Sequence, residues 1–150
     1  MAVLSVGEAR TRYAAAGAER VALRRLAWVG PLAVAAATAA NEVARRLLLA
    51  TLQPISPDFL PMQAEGVALM TAVFAVAAVA VFAAVARLSI QPIRTYQVVA
   101  AVALALSLVP DLMLLQDPTA TVGGVVALMI LHVVAAAAIV WPLSTLTREA

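Results

Sequence analysis

The sequence predicts an all-helical integral membrane protein whose four transmembrane helices pack as an up-down bundle. Of its 150 residues, 65% are apolar and 12% are charged, whereas soluble domains are about 45–50% apolar and about 25% charged. The apolar residues form four long stretches, separated by short segments that contain proline or charged residues. A soluble domain of this size could not bury so much apolar surface, so lipid is the expected solvent.

The length of each apolar stretch predicts a membrane span. A hydrocarbon core about 30 Å thick requires about 20 residues of a helix that rises about 1.5 Å per residue. Each stretch meets this length, and none shows the alternation expected of a membrane strand. Trp28 in the first span and Trp141–Pro142 at the end of the fourth mark the headgroup level. The predicted spans are residues 26–50, 64–86, 95–115 and 121–142.

The connections contain residues that end or begin helices. Residues 51–63 hold three of the eight prolines, which cannot lie inside a continuing helix. This loop either folds back as a cap over the outer end of the bundle or rests on the headgroups. Residues 87–94 form a short turn with Pro92. Asp117 before Pro118 has the N-cap and N1 pattern of a helix start.

The placement of arginine predicts the orientation. Residues 1–25 are too polar to span a membrane, and we interpret them as a cytoplasmic arginine-rich arm before the membrane domain at 26–142 and a cytoplasmic tail at 143–150. With the N-terminus inside, eight arginines lie on the cytoplasmic side, against Arg45 and Arg46 on the outer side. The positive-inside rule therefore predicts that both termini are cytoplasmic. Basic residues beside a first span are ordinarily topology signals, so nucleic acid is not an expected partner.

Composition also limits the chemistry and the source. The chain has no cysteine, which excludes disulfides, thiolate metal sites, Fe–S clusters and thiol redox chemistry. All ten basic residues are arginine, as in GC-rich bacterial genomes, so we expect a bacterial plasma membrane. Arg24–Arg25 before an apolar stretch resembles a twin-arginine signal. The apolar Leu23 ahead of the pair and the charges that follow the stretch favour an uncleaved span instead.

Small side chains line one face of the first span. These side chains recur at helical spacing, include one bulkier residue, Val34, and would let a neighbouring helix approach closely. The stripe comprises Gly30, Ala33, Ala37, Asn41, Ala44 and Arg45. This face is therefore expected to pack inside the bundle, and it carries Asn41 with it.

Six polar residues inside the predicted spans are the candidate functional residues. An ionisable side chain there costs about 2.5–3.5 kcal/mol on insertion scales, which makes it a functional candidate. Glu42 and Arg46 are spaced for a helical ion pair, as are Asn41 and Arg45 for a polar contact. Asp111 lies at a similar depth, so we expect it to pair with Arg45 or Arg46, which alone could fix helix register. The candidate polar cluster comprises Asn41, Glu42, Arg45, Arg46, Asp111 and His132.

His132 is the one histidine of the chain and lies near the middle of the fourth span. Small neighbours one turn away predict that it points inward as a neutral ring. We expect one hydrogen bond to a backbone carbonyl, to Ser107 or to Asn41. Because Asp111 lies several ångströms nearer the outer edge, no direct ion pair between the two is expected without tilt or a bridging water. A structural role and a proton relay both remain open.

The stretch from Pro110 to Trp141, the interior Asn41 and the proline-rich loop resemble a family of small bacterial four-helix membrane proteins catalogued as a domain of unknown function. The resemblance covers roughly residues 25–142. In that family methionine and histidine tend to be adjacent, whereas here two residues separate Met129 from His132. The resemblance implies the fold and a membrane location, and it brings no activity.

The favoured functional hypothesis is a non-enzymatic accessory, scaffold or interaction bundle. The sequence contains no recognisable nucleophile–base set, metal cluster or phosphate-binding loop, so we expect no catalytic residue, metal or cofactor. The expected partners are membrane lipid, a second copy of the chain or a larger membrane complex.

Two alternatives compete with it. One is a small dimeric transporter with an intramembrane polar site, since small multidrug resistance exporters also use four helices and a carboxylate in the first. Their motifs are absent, and two neighbouring arginines should hold Glu42 ionised, which makes it a poor proton carrier. The other is a membrane enzyme using Asp111 and His132. A water-filled cavity reaching Glu42 and His132 would favour transport, and a dry, fully paired polar layer would favour a scaffold.

Overall fold

The computed structural model describes residues 20–52 and 54–149, and within them the chain is helical without a β-sheet. The long helices of this described part are α1 (Leu26–Thr51), α2 (Ala64–Leu88), α3 (Pro92–Met113) and α4 (Val122–Leu146). Each is long and apolar enough to cross a membrane. The predicted all-helical bundle is therefore confirmed for the described residues. Most of the predicted arginine-rich arm, residues 1–19, lies outside them.

Where the helix boundaries differ from the prediction, they do so by one to four residues, and a proline lies at each of the two largest differences. α3 begins at Pro92 rather than at residue 95, because the fixed φ of proline suits the first helical position. α4 continues through Pro142 to Leu146, so the predicted end at 142 was wrong by about one turn. A proline inside a helix removes one backbone hydrogen bond, here the one to the carbonyl four residues earlier. The helix continues beyond it because Leu143 and Ser144 pack into the core.

Thr121, not Asp117, caps the start of α4. The Thr121 hydroxyl accepts a hydrogen bond from the Gly124 N–H at 3.0 Å and donates one to the Pro54 carbonyl at 2.8 Å. Asp117 closes a separate turn, where the Thr119 N–H and hydroxyl donate to its carboxylate at 2.7 and 2.6 Å. These two hydrogen bonds hold the pKa of Asp117 below its usual value.

The small-residue face of α1 packs inside the bundle, as predicted. Val29, Ala33 and Ala37 are fully buried, and α1 makes its most extensive interface with α4. Gly30 lies against α2, where an added Cβ would come within 3.1 Å of a Val79 methyl. Close approach of this kind needs small residues at the contact. The face continues to Asn41, which is also buried.

Both described ends of the chain meet at one end of the bundle. The Ala22 N–H donates to the Thr147 carbonyl at 2.9 Å. The Arg25 guanidinium reaches the same tail and donates to the carbonyls of Arg148 at 2.9 Å and Leu146 at 3.3 Å. We call this arrangement the terminal clasp, and it fixes the start of α1 beside the end of α4.

The α1–α2 loop folds back over the opposite end of the bundle. Phe59 and Met62 are buried and pack with Leu128 and Leu131 of α4, whereas Leu60 points outward. Of the two arrangements that the sequence left open, the loop therefore takes the capping one.

Gly124 provides a test of this cap. A Cβ there would lie 3.2 Å from the Phe59 ring, so Gly124→Val should displace the ring and destabilise the protein by about 1–3 kcal/mol, as overpacking does. At Gly66 the nearest atom to an added Cβ is a carbonyl oxygen at 3.8 Å, so Gly66→Val should change little. Thermal unfolding in detergent measures both variants, and equal melting temperatures would contradict the packing described here.

Candidate functional site

Glu42, Arg45 and Arg46 form a closed ion cluster on α1. Arg45 donates from Nε and Nη2 to the two Glu42 oxygens, each at 2.8 Å. Arg46 Nε donates to Glu42 Oε1, also at 2.8 Å, which confirms the predicted pair four residues apart. A further nitrogen of Arg45 donates to the Met62 carbonyl in the loop at 3.3 Å. Within the cluster the Glu42 carboxylate pairs with both guanidinium groups. The contact of Arg45 with Met62 also links α1 to the α1–α2 loop.

The expected pairing of Asp111 with Arg45 or Arg46 was wrong. His132 Nδ1 lies 3.0 Å from Asp111 Oδ2, so the ion-pair partner of Asp111 is on α4. The two arginines remain with Glu42, a carboxylate on their own helix within one turn. Local pairing needs no particular arrangement of helices, and it leaves neither arginine directed towards α3.

The expectation that depth would separate Asp111 from His132 was also wrong. Every Cα–Cβ bond of a helix tilts towards the helix N-terminus. α3 and α4 are joined by a short connection and run in opposite directions. The Asp111 side chain therefore tilts one way along the bundle axis and the His132 side chain tilts the other, towards each other. These opposite tilts reduce the separation of the two side chains along the bundle axis.

The Asp111 contact is close without being a complete hydrogen bond. His132 Nδ1 is also 3.0 Å from the Leu128 carbonyl oxygen, and a ring N–H can point at only one of the two acceptors. The direction of the Nδ1–H bond favours the Leu128 carbonyl, in agreement with the backbone hydrogen bond predicted for His132. Asp111 Oδ2 is therefore left without a hydrogen bond. Asp111 is only 5% exposed. An unsatisfied buried acceptor costs about 1–3 kcal/mol, more if charged.

Asn41 carries a second unsatisfied acceptor. Its Nδ2 donates to the Thr71 hydroxyl of α2 at 2.9 Å, while its Oδ1 is buried without a partner. The sequence analysis missed Thr71, although this residue is the sole hydroxyl between residues 64 and 88. A lone hydroxyl in an otherwise apolar span was the signal that could have identified it.

Asn41 and Asp111 line the same cavity, of about 600 Å³, between α2, α3 and α4. We call it the α2–α4 cavity. Its polar residues other than Tyr96 lie towards the capped end, and its remaining wall is apolar and rich in small side chains. The polar lining residues are Asn41, Thr71, Tyr96, Ser107, Asp111 and His132, and the small ones are Ala77, Ala78, Ala100, Ala103, Ala135 and Ala136.

Burial along α3 explains the cavity. The buried residues of this helix are Pro92, Ile93 and Tyr96 at one end and Asp111 near the other. Tyr96 meets Phe82 of α2 edge to face, with ring centroids 4.9 Å apart. Between these ends the alanines are too short to reach α2. The helix is therefore fixed at two places, and the cavity lies between them.

The cavity reaches His132 but does not include Glu42. Glu42 and Arg46 line a separate, open surface depression between α1 and α2. The six candidate residues thus fall into a closed ion cluster on α1 and a polar group at one end of the α2–α4 cavity. Of these two arrangements, only the second can offer hydrogen bonds to another molecule inside the bundle.

A double-mutant cycle tests the new pairing. Asp111→Asn and His132→Gln should couple by about 0.6 kcal/mol and by up to about 1.7, the range measured across membrane helices. As the control, Asp111→Asn and Arg45→Gln should add within about 0.3–0.5 kcal/mol, since residues without a shared contact behave independently. Unfolding in mixed detergent measures both cycles. Coupling found only in the control would restore the arginine pairing.

No curated protein and no solved structure matches the chain. Residues 15–149 match the profile of a family described as a family of unknown function, DUF6069. The match covers every helix described above and confirms the resemblance to a family without an assigned activity. By this match over most of its length, the chain belongs to the DUF6069 family of unknown function.

Proposed function

We propose that this protein is a non-enzymatic, multi-pass protein of the bacterial plasma membrane that binds an amphiphilic molecule in the α2–α4 cavity. The observation that carries the proposal is the pair of buried, unsatisfied acceptors, Asn41 Oδ1 and Asp111 Oδ2, on residues that line one cavity. A bilayer core supplies no water to satisfy such groups. A bound molecule with hydrogen-bond donors would satisfy them.

The shape and lining of the cavity support an amphiphile. Ligand sites commonly enclose about 300–1,000 Å³, with mostly apolar walls and a few polar groups, and the α2–α4 cavity of about 600 Å³ has this character. From Asp111 the apolar wall continues along α3 to Ala100, about 16 Å at the helical rise. A polar head beside Asp111 and an apolar body along the alanines would match both parts.

Entry from the membrane is supported by the exposure of α3. Only 6% of its apolar stretch is buried within the described residues, and the residues between Tyr96 and Asp111 are exposed or half-buried. A molecule dissolved in the bilayer could pass between α2 and α3 without crossing the capped end. The bilayer is therefore the natural route by which a ligand reaches the cavity.

The enzyme hypothesis gains little from the contact between Asp111 and His132. Nucleophilic catalysis by a serine or threonine needs its hydroxyl within hydrogen-bond reach of the base. The Ser107 hydroxyl instead donates to the Leu104 carbonyl at 2.7 Å. The hydroxyl of Thr71, which also lines the cavity, accepts a hydrogen bond from Asn41 Nδ2. A scaffold function, for its part, would be better served by a fully paired polar layer than by two unsatisfied acceptors.

A space-filling substitution tests the binding proposal. Ala103 lines the cavity, so Ala103→Phe should expel the amphiphile by occupying its volume. Ala101 is exposed on the same helix and does not line the cavity, so Ala101→Phe is the matched control. Native mass spectrometry of protein extracted in its own lipid should detect one bound amphiphile in the wild type and the control, and none in Ala103→Phe. Equal occupancy in all three would overturn the proposal.

We also propose that both termini face the cytoplasm. The terminal clasp joins residues 20–25 to residues 146–149 at one end of the bundle, and that end carries Arg20, Arg24 and Arg25. The opposite end carries Asp58 and Asp117. An excess of arginine on one side supports a cytoplasmic location for that side.

Cysteine labelling tests this orientation, since the chain has no cysteine of its own. In intact bacterial cells, a membrane-impermeant maleimide should label Asp58→Cys directly. It should label Ile90→Cys, which is 75% exposed in the α2–α3 turn, only after the cells are permeabilised. Direct labelling of Ile90→Cys, with Asp58→Cys labelled only after permeabilisation, would show the opposite orientation.

A further inference from the structure

We propose that the molecule bound beside Asp111 is an amphiphilic monocation, an apolar body with one ammonium group. The inference rests on the binding function proposed above and names the chemical class of its ligand.

The charges around Asp111 support a cationic ligand. Both arginines of α1 are engaged by Glu42. On α2, Arg87 is about 24 Å along the helix from Thr71, and on α3, Arg94 is about 25 Å from Asp111 at the helical rise. α4 contains no charged residue between 122 and 146 other than His132 when it is protonated. Within the described part of the chain, His132 is therefore the only cationic group in contact with Asp111.

The remaining titratable groups do not supply that charge. Glu65 near the start of α2 is acidic and exposed. Asp117 lies beyond α3 and is held by Thr119. Tyr96 lines the far part of the cavity, about 22 Å from Asp111 along α3. None of these groups can neutralise the carboxylate at the polar end of the cavity.

The unsatisfied atoms select the same class of ligand. Asn41 Oδ1 and Asp111 Oδ2 are both acceptors, while the amide donor of Asn41 is already used by Thr71. A ligand must therefore donate hydrogen bonds. An ammonium group supplies donors and a positive charge together, and hydrogen bonds between charged groups are stronger than neutral ones. A phosphate or carboxylate would bring acceptors and a second negative charge to a site that already has both.

The test uses three probes with the same twelve-carbon chain and different heads: dodecylamine, dodecanol and dodecanoate. The full-length protein is placed in nanodiscs of zwitterionic lipid, and Ala103→Phe nanodiscs give the background from lipid partition. Dodecylamine should bind once per chain, about tenfold or more tighter than dodecanol, because a hydrogen bond to a charged group is worth about 1.5–3 kcal/mol. Dodecanoate should not bind above background.

Two variants test whether the site recognises the charge of the probe rather than its shape. Asp111→Asn should lower dodecylamine affinity by about tenfold or more and leave dodecanol unchanged. His132→Gln should keep dodecylamine binding, because the Asp111 carboxylate is unchanged in this variant. The comparison of probes on wild-type protein holds even if a variant fails to fold.

The outcomes distinguish this inference from the function on which it rests. Equal affinity for dodecylamine and dodecanol, or tighter binding of dodecanoate, would overturn the cationic ligand and leave amphiphile binding intact. No binding of any probe above the Ala103→Phe background would overturn both proposals.

Discussion

A hydrocarbon interior offers no hydrogen bonds, so each polar group placed there must be satisfied by the protein or by a molecule that the protein binds. The long helices meet this requirement for the backbone. On α1, the Glu42 carboxylate is satisfied by ion pairs with two arginines within one turn. Arg45 also donates a hydrogen bond to a loop carbonyl. Asp111 and Asn41 do not fully meet it. The difference between these two groups of residues organises the functional interpretation of the molecule.

Local features of this structure were predictable, and features that depend on helix arrangement were not. The spans follow from length and apolarity, and the pair of Glu42 with Arg46 follows from helical spacing. The partner of Asp111 was missed because depth was counted along helix axes, without the opposite tilt of side chains on antiparallel helices. The predicted end of α4 lies one turn too early because proline ordinarily ends a helix, whereas burial of Leu143 sustains this helix beyond Pro142.

Alanine shows why the cavity could not be read from the sequence. On α1, Ala33 and Ala37 are fully buried because α4 packs directly on them. On α3, Ala100 and Ala103 occur in a similar apolar context, yet they border empty space because Tyr96 and Asp111 hold the helix at its ends. A small side chain permits close packing and also permits a void. Which one results depends on the larger residues nearby.

The terminal clasp has a consequence for anything joined to the chain ends. The Glu149 N–H donates to the Arg20 carbonyl at 3.0 Å, so the first and last described residues of the bundle lie side by side. Two groups attached at these two residues by short flexible links would experience an effective concentration of about millimolar. A weak affinity between them would then suffice for association.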